Sequence, residues 1–163
     1  MPWRNGLGQT TELLRQDGPE GFMWRLSRAA VVEDGAFSLF PHVDRILLLL
    51  SGAGLVLQFA DGAQVRLTER FGEVRFAGDA ALHCALVDGP CEDFNIMVDR
   101  RYCAPRLVRH QAGAEVGTGL FYALDGDWTL DGAALPVGHL GVVEGAAALA
   151  GAGLVLQVVF EKV

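Results

Sequence analysis

Lysine is almost missing from this chain: of its 13 basic residues, Lys162 alone is lysine and the rest are arginine. A biased genome is the simplest source of that skew, but arginine is also the better fork for carboxylates. Positive charge as a whole is scarce, with 20 acidic residues, a net charge of −7 and a pI near 5.0. Nucleic acid and anionic membrane both call for clustered Lys and Arg, so neither is an expected partner, and a small molecule or another protein is. The three cysteines, Cys84, Cys91 and Cys103, show no C-x-x-C spacing. That excludes a disulfide framework and points to reduced, cytoplasmic thiols. The opening Met1-Pro-Trp-Arg-Asn-Gly6 has no apolar signal-peptide core, so no leader is expected. Gly141 to Phe160 is the one candidate membrane run, but Glu144, Gln157 and repeated glycines interrupt it. A spanning segment needs about 20 apolar residues, so none is expected.

No long helical period is present either. From Phe22 onwards, short apolar or alternating runs end in Gly, Asp or Pro at the spacing of an all-β sandwich or barrel, about a dozen strands in a meander or Greek key. Arg45-Ile-Leu-Leu-Leu-Leu50, Ser51-Gly-Ala-Gly54 and Leu55-Val-Leu-Gln-Phe59 read together as a buried hairpin. Turns are predicted at Asp61-Gly62, Gly78-Asp79, Asp88-Gly-Pro90, Asp125-Gly126 and Asp131-Gly132. Leu154 to Phe160 reads as a short buried strand. Gly-Ala-Gly-Leu-Val-Leu-Gln occurs at 52–58 and again at 151–157. Two related β-modules or chance in an Ala-, Gly- and Leu-rich chain explain that echo equally well.

The most informative stretch is Asp88-Gly-Pro-Cys-Glu-Asp-Phe-Asn-Ile-Met97, which sets Asp93 and Asn95 two apart, hence on one face, of a strand that otherwise reads as buried. Each polar group left unpaired there costs on the order of 1–3 kcal/mol. Something must satisfy them. Arg25 and Ser27 share one face of a strand whose other face carries Trp24 and Leu26, and Arg45 opens an apolar strand. The arginines suit an anion, bound bidentately in a shielded cavity. Asp93 could hold an arginine in place while the Asn95 amide reads an amide, formyl or imine group, with Trp3 as wall or lid and Asn5 as a second polar contact. The plainer alternative is structural, with Arg25, Arg45 and Asp93 as a buried ion-pair network, Asn95 fastening main chain, and Trp3 and Trp24 as core.

Pro2-Trp-Arg-Asn-Gly-Leu-Gly8, Trp24-Arg-Leu-Ser27, Gly35-Ala-Phe-Ser-Leu-Phe-Pro41 with Asp44-Arg45, and Asp88-Gly-Pro90 with Asp93-Phe-Asn95 follow one another in an order that resembles the HutD/Ves family. The resemblance implies an RmlC-like cupin fold, all-β and duplicated, with 1–163 as one bicupin domain, its first module about 1–100 and its second about 101–163. It further implies a bacterial cytoplasmic protein, associated in one branch with histidine utilisation and in the other with stress responses. No reaction is attached to that likeness. Its working idea is the binding of a small acidic metabolite, such as a formylated or formiminated glutamate, in a regulatory role. Family members usually carry a segment ahead of the Pro-Trp block, so a first strand is expected to be missing or supplied otherwise, and Leu7 breaks the usual glycine run.

Many cupins hold a metal on three His and one Glu. Here His42, His83, His110 and His139 are scattered, with no H-x-H pair, and Ile46 to Leu50 stands where a first ligand cluster would fall. Neither a metal nor another cofactor is expected. The cysteines lack an activating base, and adjacent Glu92 and Asp93 face opposite ways, which does not suit a glycosidase pair. The expected ligand-binding set is therefore Trp3, Asn5, Arg25, Arg45, Asp93 and Asn95, with no catalytic residue assigned. The alternatives are a metal-independent isomerase or hydrolase using Asp93 or a histidine, and a protein-interaction module with a tightly packed interior. Pairing of exposed strand edges into a homodimer is a further expectation.

Overall fold

Alternating burial along the strands sets the architecture, because a side-chain period of two turns one face of each strand inward. The computed structural model describes residues 1–163 and consists of twelve strands joined by turns, with no helix. No helix is therefore long and apolar enough to cross a membrane. The chain separates into two compact units, Met1–Cys103 with Val163, and Ala104–Lys162.

The first unit contains β1 (Gly8–Gly18), β2 (Gly21–Val31), β3 (Gly35–Ala36), β4 (Val43–Ser51), β5 (Leu55–Phe59), β6 (Gln64–Leu67), β7 (Glu73–Ala77), β8 (Leu82–Leu86) and β9 (Cys91–Asp99). One antiparallel sheet runs β1-β2-β9-β4-β7, the other β3-β8-β5-β6. They face each other through Leu47, Leu49 and Val74 on one side and Leu55, Leu57 and Cys84 on the other, all buried in one cluster. This is the all-β sandwich that the cupin likeness implies. Burying a Leu or Val side chain stabilises by about 1.5–3 kcal/mol, so this shared layer holds the sheets face to face.

Two expectations fail here. Arg45–Leu50 and Leu55–Phe59 are not a hairpin: β4 pairs with β7 and β9, while β5 pairs with β6 and β8. Gly52 and Gly54, at φ 91° and 103°, carry the chain from one sheet to the other instead of folding it back. The strand pattern also begins earlier than Phe22, since β1 is an outer strand paired along β2. Its polar sequence GQTTELLRQDG suits a sheet edge and hides its strand character. Leu7, the break in the glycine run, fits against Gly35, where a Cβ would come within 1.9 Å of Leu7 Cδ1. Its carbonyl accepts the Val32 and Glu33 N–H groups.

The second unit departs further from a procession of short strands. It consists of β10 (Cys103–Leu130), β11 (Ala133–Ala134) and β12 (Leu140–Lys162), ordered β11-β10-β12. Asp125-Gly126 lies inside β10 instead of ending it, and Leu154–Phe160 is the buried end of β12. Asp131-Gly132 does turn the chain, both residues having positive φ. The second copy of the echo repeats the backbone device of the first. Gly151 and Gly153 sit at φ 139° and 131°, and a Cβ on Gly153 would lie 2.3 Å from Asp125 O, as one on Gly54 would lie 2.1 Å from Leu67 O.

Candidate functional site

The inward face of the five-stranded sheet is apolar towards β7 and polar towards β2, and the register accounts for this. Arg25 on β2 and Arg45 on β4 are both paired with Met97 on β9, so the three form one row across the sheet. Ser27, Asn95 and Leu47 form the next row, and Ala29, Asp93 and Leu49 the one after. Consecutive rows on one face are about 7 Å apart. These rows floor a cavity of about 510 Å³ within the first unit.

Two segments wall it. Trp3 donates its indole N–H to Thr10 Oγ1 at 2.7 Å, and its backbone N–H to Gly8 O at 2.8 Å. Asn5 Oδ1 accepts the Leu7 N–H at 3.1 Å, which shapes this loop. Opposite, Phe37 meets the Trp3 ring edge-on at 6.0 Å between centroids, and Phe40 anchors its N–H on Gly78 O. The two segments close over the floor through that aromatic contact, a pairing worth about 0.5–1.5 kcal/mol beyond burial.

Polar atoms on the floor have few partners in the protein. Ser27, Arg45, Asp93 and Asn95 are buried, at 0%, 8%, 2% and 6% exposure. Arg25 Nε, Ser27 Oγ, Arg45 Nε, Asp93 Oδ1 and Asn95 Oδ1 are all enclosed without a hydrogen bond to the chain. Arg25 Nε does stand 2.8 Å from Glu12 Oε2. That contact is a charge pair whose N–H is not aimed for a hydrogen bond. Arg45 instead lies among three phenyl rings, its Cζ 5.1 Å from the Phe37 centroid, 5.6 Å from Phe40 and 5.2 Å from Phe76. Such contacts hold a cation where water does not reach it.

Burial governs the electrostatics. It lowers the Arg45 guanidinium to about 10, against the opposing attraction of Asp93 and with added repulsion from Arg25. It raises the Asp93 carboxyl to about 7, with Arg45 opposing and Glu92 assisting. A carboxyl that changes charge near neutrality within the field of a desolvated guanidinium is an arrangement typical of binding and catalytic clefts.

All six residues expected from the sequence, Trp3, Asn5, Arg25, Arg45, Asp93 and Asn95, line this one cavity. Asn5 is exposed at its rim and already uses its carbonyl on main chain. The cage of Phe37, Phe40 and Phe76 and the Thr10 anchor escaped the sequence reading. Phe76 is paired with Arg45 across β4 and β7, a register no local pattern reveals. The histidines lie apart: His42 in the turn before β4, His83 exposed on β8, His110 bonded to Gln157 at 2.8 Å and His139 in the turn before β12.

Comparison with known proteins gives this site a context. The family model described as HutD matches residues 1–158. A protein of Pseudomonas putida named for its place in the hutC 3′ region is 40% identical over 125 residues, covering 76% of this chain and 63% of the relative. The chain thus spans under two thirds of that relative's length. Protein Ves of Cronobacter sakazakii is 34% identical over 133 residues, covering 79% of this chain and 73% of its own. The solved structure of HutD from Pseudomonas fluorescens SBW25 superposes with a TM-score of 0.86 at 29% identity, covering 99% of this chain and 93% of that one. A conserved protein of unknown function from Pseudomonas aeruginosa PAO1 gives 0.79 at 32%, covering 100% and 93%. By the family match along nearly its whole length, and by the all-β fold it shares with these structures, this chain belongs to the HutD family.

Proposed function

We propose that the protein is a metal-free cupin that binds a small acidic metabolite of the formylglutamate or formiminoglutamate kind, and that it links the level of that metabolite to histidine catabolism or a stress response. The observation that carries this reading is the set of four enclosed polar atoms, Ser27 Oγ, Arg45 Nε, Asp93 Oδ1 and Asn95 Oδ1, that have no hydrogen bond to the chain and belong to residues lining one cavity. Leaving them unsatisfied costs on the order of 1–3 kcal/mol each, and a ligand carrying carboxylate and amide-like groups relieves that cost. A cavity of about 510 Å³ suits an amino-acid derivative. It also speaks against an interaction module with a filled interior. The relative named for the hutC 3′ region supports the link to histidine utilisation. Action in the bacterial cytoplasm, and self-association through exposed sheet edges, belong to the same reading.

Thermal melts with formylglutamate, formiminoglutamate, glutamate and urocanate at millimolar concentration test it. A ligand that binds only the folded state stabilises it by about 2.7 kcal/mol at a hundred times its Kd. Failure of all four to raise the melting temperature contradicts the proposal. The Asp93 carboxyl near 7 favours a second reading, a metal-independent isomerase or hydrolase with Asp93 as acid–base group. Turnover that disappears in Asp93→Asn supports it, and ligand binding without turnover opposes it.

A further inference from the structure

The floor atoms that lack a hydrogen bond to the chain sort by chemistry and by row. Arg25 Nε and Arg45 Nε are donors and stand on the row through Met97. Asp93 Oδ1 and Asn95 Oδ1 are acceptors on the next two rows, with Ser27 Oγ able to act either way. Backbone positions of the arginine row and the Asp93 row are therefore about 13 Å apart, a span that the long arginine side chains shorten. Charge divides the same way. Arg25 already faces Glu12, which leaves Arg45 and Asp93 as the opposite charges of the interior.

An ionised carboxylate can only accept hydrogen bonds. A second carboxylate or a formyl oxygen set against Asp93 Oδ1 would place acceptor on acceptor, whereas an N–H group would meet both Asp93 and Asn95. We propose that the cavity selects a ligand with two unlike ends, a carboxylate for Arg45 and a cationic N–H group, such as an amidinium, for Asp93 and Asn95. This rests on the binding reading above and narrows it. Of the two derivatives named there, the formimino compound carries =NH₂⁺ where the formyl compound carries =O, so a single atom decides the fit.

The charged groups that act on Asp93 are Arg45 from β4 and Glu92 adjoining it on the exposed side of β9; Arg25 from β2 acts on Arg45, and the thiols of Cys91 and of Cys84 in the facing sheet lie within the field of Asp93. Glu92 is exposed and Arg25 is offset by Glu12, so the Asp93 charge itself sets how strongly a cation is held. Both test ligands keep their own charge between pH 6 and 8. A change in preference over that range reports the protein.

Calorimetric titration of N-formiminoglutamate and N-formylglutamate into the wild type at pH 8 and pH 6, and into Asp93→Asn at pH 8, tests the proposal. The expected result is at least tenfold tighter binding of the formimino compound at pH 8, a smaller ratio at pH 6, and no preference in Asp93→Asn. Equal or tighter binding of the formyl compound at pH 8, or a preference that persists unchanged at pH 6, overturns the proposal and leaves the binding reading intact. If neither compound binds, both fall together. Because the wild-type ratio at two pH values stands alone, the test survives a variant that does not fold.

Discussion

Arg25 and Arg45 reach the cavity from opposite neighbours of a single residue, since each is paired with Met97 across β9. Their surroundings then diverge. Arg25 keeps a carboxylate partner in Glu12, whereas Arg45 is enclosed by Phe37, Phe40 and Phe76 and lies within the field of Asp93. The pair is symmetric in register and unequal in energy, which makes Arg45 the more informative one to replace.

Arg45→Met should destabilise by up to about 3–5 kcal/mol at pH 8, because it removes the opposite charge from buried Asp93, and by less at pH 5, where Asp93 keeps its proton. Ligand binding should weaken at least tenfold, in line with the 1.5–3 kcal/mol typical of a hydrogen bond to a charged group, about 1.4 kcal/mol per factor of ten. Urea melts and a titration separate the two effects. Undiminished binding by this variant removes Arg45 from the site.

Stability should fall as pH rises towards 7. The Asp93 carboxyl is raised from 3.8 to about 7, chiefly by burial, with Arg45 opposing and Glu92 adding. Between those values the folded chain keeps a proton that the unfolded chain releases. The native state then binds more protons, so this contribution is full below about pH 4 and lost above about pH 7. Urea melts at pH 5 and pH 8 should show the decline, and Asp93→Asn should flatten it. An equally steep decline in the variant assigns it to other groups.

The inner thiols should be inert. Burial, with the nearby Cys91 and Asp93 adding, pushes Cys84 up to about 12, and burial with Asp93 and Glu92 pushes Cys91 to about 11. The thiolate is the reactive form, so a thiol reagent at pH 8 should leave both unmodified in the native protein while labelling the unfolded chain within minutes. Rapid native labelling of either one would mean that the layer between the sheets opens readily.

Gly54→Ala and Gly153→Ala should each destabilise by more than about 1 kcal/mol. Both glycines have positive φ, and a Cβ would strike Leu67 O at 2.1 Å or Asp125 O at 2.3 Å. Gly62→Ala is the comparison, with φ 92° and nothing within 4 Å of its Cβ. It should lose less in the same denaturant melts, and equal losses at all three would show that φ alone is responsible.

The period of two was enough to set Asp93 with Asn95 and Arg25 with Ser27 on shared faces, because alternation is local. Bringing those pairs to one floor depends on β2 and β4 flanking β9, and beforehand only the matching chemistry of arginine, carboxylate and amide joined them. The hairpin expectation failed because an apolar run, two glycines and another apolar run describe a fold-back and a crossing between sheets equally well. β10 was cut short at Asp125-Gly126 because a glycine at positive φ can sit inside a strand as well as end one. The rings around Arg45 come from a loop and from a strand neighbour, and neither carries a sequence period.

The crossing at Gly52–Gly54 also bears on the order of assembly. Leu49 and Leu55, six positions apart, share the core between the sheets, whereas Ser27 and Asn95 are paired across 68 positions. Closing the longer loop costs about 2 kcal/mol more in chain entropy. We expect the contact between the layers to form early and the cavity floor late, so that Leu49→Ala slows refolding while Asn95→Ala mainly speeds unfolding in stopped-flow experiments. A metabolite bound on that floor would then act as a kinetic latch, prolonging the life of the native chain without hastening its formation.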